Sequence, residues 1–256
     1  MLFDRVKPLD QILETAEKKS LKRQLGAVQL TLLGIGAIIG TGIFVLTAEA
    51  AQKAGPAMMI SFVIAAIVCG LAALAYAELA SMVPVSGSAY SSTYAVLGEV
   101  LAWTVGWALI LEYAVAAGAV AVGWSGYVNG LLNAGGFGLP DALQSGPWNG
   151  GSFNLLAFLI SLVITLLLVL GTSKSAWVNA VLVTVKVVAL TAFVIVAVPA
   201  AQSGNFQPFN PAGWGNPMGG VGILGAAASI FFAYVGFDAV STAAEETKNP
   251  NRNIPI

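Results

Sequence analysis

Gly34-Ile35-Gly36-Ala37-Ile38-Ile39-Gly40-Thr41-Gly42-Ile43-Phe44 lies in the middle of the first long apolar run and places four glycines within nine residues. Two readings of it compete. Gly36 and Gly40 have the spacing that lets two membrane helices approach closely, because small residues leave room for a neighbouring backbone. Alternatively, the helix unwinds here. Gly40-Thr41-Gly42 would then open a second half-helix, whose N–H groups and dipole attract an anion such as a carboxylate. Transporters use interrupted helices of this kind near the bilayer midplane.

The rest of the chain decides what surrounds that stretch. Of 256 residues, 57% are hydrophobic and 9% charged, with a mean hydropathy of +0.84. A soluble domain needs a more polar exterior, so a bilayer is the expected solvent. Six apolar segments emerge: Gly26–Ala51, Ala57–Met82, Val100–Leu131, Leu155–Leu170, Trp177–Val198 and Gly220–Thr242. Each is a continuous run rather than the ~10-residue alternating segment of a barrel strand. In lipid such runs must be helices, because every backbone polar group needs a partner. The expected fold is therefore an all-α integral membrane protein of about six transmembrane helices. A segment of 25 residues precedes the first helix, and residues 249–256 follow the last.

Charge sets the expected orientation. Arg5, Lys7, Lys18, Lys19, Lys22 and Arg23 precede the first span, and the positive-inside rule places them in the cytoplasm. Alternating spans then put Lys174, Lys248 and Arg252 inside as well, leaving Lys53 outside. The N-terminal segment is polar, unlike a cleavable signal peptide. The localisation expected is the inner cell membrane, multi-pass, with a cytoplasmic N-terminus. A net charge of −1 supplies no field for nucleic acid, the single cysteine, Cys69, allows no internal disulfide, and histidine is absent from the sequence.

The sixth segment contains a second interruption. Phe231-Phe232-Ala233-Tyr234-Val235-Gly236-Phe237-Asp238 sets a glycine and an acid inside an apolar run. By itself this also reads as a kink with an acid near the cytoplasmic end. Two interrupted helices together describe more. One break suits a carboxylate through N–H groups and the other an ammonium through carbonyls, which is the pair of charges on an α-amino acid.

At these residues the chain resembles the amino acid–polyamine–organocation superfamily. Gly34 to Phe44 is similar to its first-helix signature. Phe231 to Asp238, running on into Ser241-Thr242-Ala243-Ala244-Glu245-Glu246-Thr247-Lys248-Asn249-Pro250, resembles the sixth helix of the cationic amino-acid transporter branch. Pro84-Val85-Ser86-Gly87-Ser88-Ala89-Tyr90 resembles the loop after the second helix. The resemblance implies a LeuT-like 5+5 fold. This chain would supply the first inverted repeat, helices 1–5, plus helix 6, with helices 1 and 6 discontinuous. The remaining helices would lie beyond Ile256, and a C-terminal half is expected to be needed for transport. The resemblance also places the substrate carboxylate on the N–H groups of Thr41, Gly42 and Ile43. It places the ammonium on carbonyls of Ile38, Phe232, Ala233 and Val235. Phe232 would be an aromatic gate, and Asp238 a partner for a cationic side chain or for coupling.

Two further charges lie inside spans. Lys186 is about nine residues into the fifth segment, or roughly 14 Å at 1.5 Å per residue. A lysine at the centre of a helix costs at least ~2.5 kcal/mol on insertion scales. It reads either as a structural lysine paired in the bundle or as a coupling group. In proton-coupled relatives a lysine on this helix stands where sodium-coupled ones bind an ion. Glu112, in the third segment, divides evenly between structural pairing and the proton path, and Glu78 reads as a cytoplasmic-side contact.

The expected function is secondary active amino-acid transport, proton-coupled and by alternating access. Its partners would be an amino acid, a proton and the bilayer, with no cofactor and no metal. A membrane enzyme would need a nucleophile–base pair or a metal cluster. A channel would show rings of charge or carbonyls around an axis. A truncated fragment that does not transport is the remaining alternative.

Overall fold

The computed structural model describes residues 6–8, 10–12, 14, 23–40, 42–169, 175–218 and 220–254. Thr41, Ile256 and the cations Arg5, Lys18, Lys19, Lys22 and Lys174 lie outside the described residues. The longer helices are α1 (Ala27–Ile38), α2 (Thr47–Ala54), α3 (Met58–Met82), α4 (Ser88–Val96), α5 (Glu99–Ala134), α6 (Leu155–Val169), α7 (Ser175–Ala197) and α8 (Gly222–Ile230). Among the described residues the only β pairing is two isolated bridges. Four runs are long and apolar enough to cross a membrane: Ala27–Met82, Glu99–Ala134, Ala180–Ala200 and Gly222–Thr242. Leu155–Leu166 is a shorter apolar helix.

Contacts divide the chain into two units. One contains residues 1–108 and 176–256, the other Leu109–Ser175. In the first unit the core is built from small residues. Ala50 and Ala54 of α2, Ala65 of α3, Ala226 and Ile230 of α8, and Ala233 form one buried cluster, flanked by Leu46, Met58, Phe62 and Tyr234. Alanine at these positions lets three helices approach closely, the packing that works in lipid, where no hydrophobic force separates helix from solvent. Buried polar ties reinforce it. The fully buried Ser61 hydroxyl donates to the Ile223 carbonyl at 2.8 Å, and the Tyr234 hydroxyl donates to the Phe62 carbonyl at 3.1 Å. The chain turns between α2 and α3 at Gly55, whose φ of +61° a residue with a side chain adopts poorly.

A second cluster gathers Leu30, Ala80, Ala244 and Ile254, with Leu25 and Val240 against it. Here the stretch before α1 pairs with the stretch after the sixth segment. The N–H groups of Gln24 and Leu25 both donate to the Glu246 carbonyl at 2.9 Å, and the Lys248 N–H donates to the Leu25 carbonyl at 2.8 Å. The segment read as a loop, Pro84 to Tyr90, passes into α4 at Ser88. It joins the same end of the unit: the Ser86 N–H donates to a Glu245 carboxylate oxygen at 2.9 Å, and Ser241 and Ser88 share a hydroxyl hydrogen bond of 3.0 Å.

In the second unit, Asn154 precedes α6 and its side-chain oxygen accepts the Ala157 N–H at 3.0 Å. That is an N-cap on a helix that is apolar apart from Ser161 and Thr165. The other end of the same amide donates to Ser125 of α5 at 2.8 Å, tying α6 to α5.

Candidate functional site

The first break begins where α1 ends. Ile39 closes the helix by donating to the Ile35 carbonyl at 2.9 Å, but its ψ of 86° turns the chain out of helical geometry. Beyond Gly40 the backbone re-forms as a π-helical turn, Gly42–Leu46, and only then as α2. Wide turns of this type recur at functional sites. In the sixth segment α8 tightens into a 3₁₀ turn over Phe231–Tyr234. Val235 is extended, with φ −56° and ψ 132°, and Gly236 takes φ +118°, a conformation open to glycine and strained for other residues. A short helix resumes at Ala239–Thr242.

The two interruptions touch at two points. A Cβ built on Gly42 would overlap Ala233 and lie 2.8 Å from its carbonyl oxygen. A Cβ on Gly236 would lie 3.0 Å from both the Cβ and the carbonyl oxygen of Ala37. Glycine at both places is what lets one broken backbone lie directly against the other. Gly42 and Ala233 are buried, while Ile38, Phe232 and Val235 are half-buried and Ile43 is exposed. The fold thus brings Gly42 and Ala233 into contact, with Ile38 and Ile43 on either side of the first break and Phe232 and Val235 beside Ala233. Asp238, 3% exposed, follows the second break, and its carbonyl accepts from the Ser241 hydroxyl at 2.6 Å.

Lys186 of α7 reaches the first break. Its ammonium donates to the Gly36 carbonyl at 3.1 Å and to the Ile39 carbonyl at 2.9 Å. These oxygens sit at the C-terminal end of α1, where helical carbonyls lack intrahelical partners and the dipole is negative. The lysine therefore stabilises the interrupted end both by hydrogen bonding and by charge. Glu112 is half-buried on α5 within the second unit.

A further tie lies beside the site. The Lys53 ammonium donates to Glu49 at 2.7 Å and to the Ser229 hydroxyl at 2.5 Å. It joins α2 to α8, the helices that adjoin the turns carrying Gly42 and Ala233. The (i, i+4) spacing of Glu49 and Lys53 is visible in the sequence; the bond to Ser229, 176 residues away, is not. The hydroxyl of Ser61 was likewise unreadable as a tie to α8.

Residues 25–256 match the sequence model of the amino acid permease family. The chain is 54% identical over 250 residues to the branched-chain amino acid permease BcaP of Bacillus subtilis (strain 168), covering 96% of this chain and 52% of that protein. It is 47% identical to the methylthioribose transporter of the same organism, covering 98% of this chain and 54% of that protein. It is 37% identical to cationic amino acid transporter 4 of Homo sapiens, covering 99% and 40%. The chain thus spans about half the length of the curated relatives it matches. With its apolar helices and a family match across nearly its whole length, this chain is a multi-pass membrane protein that belongs to the amino acid permease family of the amino acid–polyamine–organocation superfamily.

Proposed function

We propose that this chain carries the first half of the transport machinery of a proton-coupled amino-acid permease working by alternating access. The observation that carries the reading is the direct packing of the Gly42 turn against Ala233. Two interrupted helices meeting in one place offer N–H groups from one backbone and carbonyls from the other, the complement of an α-amino acid. The carboxylate is assigned to the N–H groups of Thr41, Gly42 and Ile43, and the ammonium to carbonyls of Ile38, Phe232, Ala233 and Val235. Phe232 is assigned the gate, and Asp238 the selection of cationic side chains. Helices 1–5 form one repeat of a LeuT-like 5+5 arrangement and helix 6 begins the next. The N-terminus is cytoplasmic in an inner membrane, and a second half completes the pocket.

Lys186 is the proposed coupling residue, with Glu112 as the second candidate for the proton path. The protonated amine holds α7 against the interrupted end of α1. Loss of the proton on one side of the membrane weakens that contact and favours the opposite orientation, as a released ion would. One pKa unit of difference between two conformations corresponds to about 1.4 kcal/mol.

The test is uptake into proteoliposomes by the parent protein and by Lys186→Ala, with and without an inward proton gradient. Branched-chain amino acids are the first substrates to try, with arginine and methylthioribose as competitors, given the names of the relatives. The parent should accumulate substrate in response to the gradient, while the variant should retain exchange at most. Gradient-driven accumulation by Lys186→Ala would make the lysine structural. Competition by methylthioribose alone would overturn the amino-acid site.

A further inference from the structure

A groove of about 280 Å³ runs along α1, between it and α3 and the chain from Phe237 to Ile254. Leu30, Gly34 and Ile38 line it from α1, Leu74 and Ala77 from α3, and Asn253 and Ile254 from the chain after the sixth segment. From Leu30 to Ile38 it follows eight residues of helix, about 12 Å. The lining is apolar apart from Thr31, Tyr76, Ser241 and Asn253. Leu74 is 67% exposed, so the groove is open along one side.

Its Ile254 end carries positive charge. Arg252 precedes Asn253 in the short turn Pro250–Asn253, and the Asn253 side-chain amide donates to the Lys248 carbonyl. The Lys248 N–H in turn donates to the Leu25 carbonyl at 2.8 Å, which brings Arg23, two residues earlier, to the same end. All three cations are exposed. Two acids, Glu245 and Glu246, share this end, so the three cations outnumber them by one.

We propose that this groove is a binding site for an anionic phospholipid. One acyl chain lies along α1 from Leu30 toward Ile38, and the phosphate sits among Arg23, Lys248 and Arg252. An apolar slot with three exposed cations on the chain near its Ile254 end fits an amphiphile with a negative head. A zwitterionic lipid fills the slot equally well but gains little from the cations. The inference rests on the chain's spanning a membrane and is independent of what it transports.

The experiment places a photoreactive benzophenone amino acid at Leu74 of the full chain, reconstituted in phosphatidylcholine vesicles containing phosphatidylglycerol. Adducts are identified by mass spectrometry. Phosphatidylglycerol should be enriched among them beyond its share of the bilayer. Arg23→Gln, Lys248→Gln or Arg252→Gln should each lower that enrichment, by about fivefold where a cation acts at its full surface strength. Ala77→Phe, which fills the slot, should lower all lipid adducts. Lys53→Gln, at the far end of α2, should leave the enrichment intact. Adducts that mirror the bilayer composition overturn the proposal. So does enrichment unchanged in the three cation variants, displacement by inorganic phosphate alone, or an adduct that is a peptide from a second copy or another protein.

Discussion

Replacing Gly42 by alanine isolates the contact on which the site depends. Gly42 opens the π-helical turn Gly42–Leu46, a right-handed helical backbone that accepts a side chain. The obstacle is Ala233: the new methyl would overlap its Cβ and Cα and lie 2.8 Å from its carbonyl oxygen. Both partners are backbone or backbone-near atoms in a packed cluster, so neither can rotate away as a long side chain would. Overpacking of this kind costs about 1–3 kcal/mol, which corresponds to roughly 5- to 150-fold in an equilibrium constant. Ala233→Gly removes the Cβ but leaves the Cα and oxygen, so the double variant Gly42→Ala with Ala233→Gly should recover part of the loss. The coupling between the two sites should fall within about 0.5–3 kcal/mol. Unfolding of the purified chain in mixed micelles titrated with dodecyl sulfate measures the stability cycle, and binding of radiolabelled leucine to the same proteins measures the site. If Gly42→Ala unfolds and binds like the parent, or the two substitutions are simply additive, the close approach of the two breaks is not what holds this region together.

Other substitutions probe neighbouring features. Gly236→Ala combines a φ of +118° with a methyl 3.0 Å from Ala37; it should destabilise the micellar protein more than Gly118→Ala, which meets nothing within 4 Å. Ser61→Ala removes the buried hydroxyl that ties α3 to the Ile223 carbonyl and should cost about 0.5–1.5 kcal/mol in the same titration. Asp238→Asn should reduce arginine binding more than leucine binding, measured by competition; equal losses would assign Asp238 to folding or coupling. Gly42→Val should weaken amino-acid binding more than Thr41→Ala, since the assigned contacts are made by backbone N–H groups.

What could be read from the sequence followed from local chemistry. Long apolar runs specify helices because lipid leaves no other way to satisfy the backbone. Clustered glycines at Gly34–Gly42 and the lone Gly236 marked the places where the backbone leaves the helix. Lys186 stood out because a lysine deep in an apolar run needs a compensating partner. The partners themselves were not legible. That Gly42 meets Ala233, and that Lys53 meets Ser229, depends on how α2 and α8 pack, and pairs separated by well over a hundred positions leave no local trace in one sequence. The turn at Gly55 and the N-cap at Asn154 are local, by contrast, and their residue types are the ones such positions favour. The run between Pro84 and Tyr90 looked like a loop because proline, glycine and serines dominate it. Its second half nonetheless begins α4, since nothing after Ser88 opposes a helix.

The position of Lys186 links the stability of the break to the proposed coupling. An interrupted helix in lipid exposes carbonyls that need donors, and a lysine at that depth needs acceptors; each removes the other's cost. A neutral amine still has two N–H groups, enough for the Gly36 and Ile39 carbonyls. Protonation therefore alters the strength of the contact more than its existence. What changes is the charge at the C-terminal end of the α1 dipole, an effect of about 0.3–2 kcal/mol. Lys186→Arg separates the two roles, because a guanidinium stays charged and can supply donors to both carbonyls. In proteoliposomes it should keep substrate binding and exchange while losing the response to a proton gradient. Lys186→Met should lose stability as well, since it leaves both carbonyls without a donor. A gradient-driven Lys186→Arg variant would show that the proton travels elsewhere and that the lysine serves the break alone.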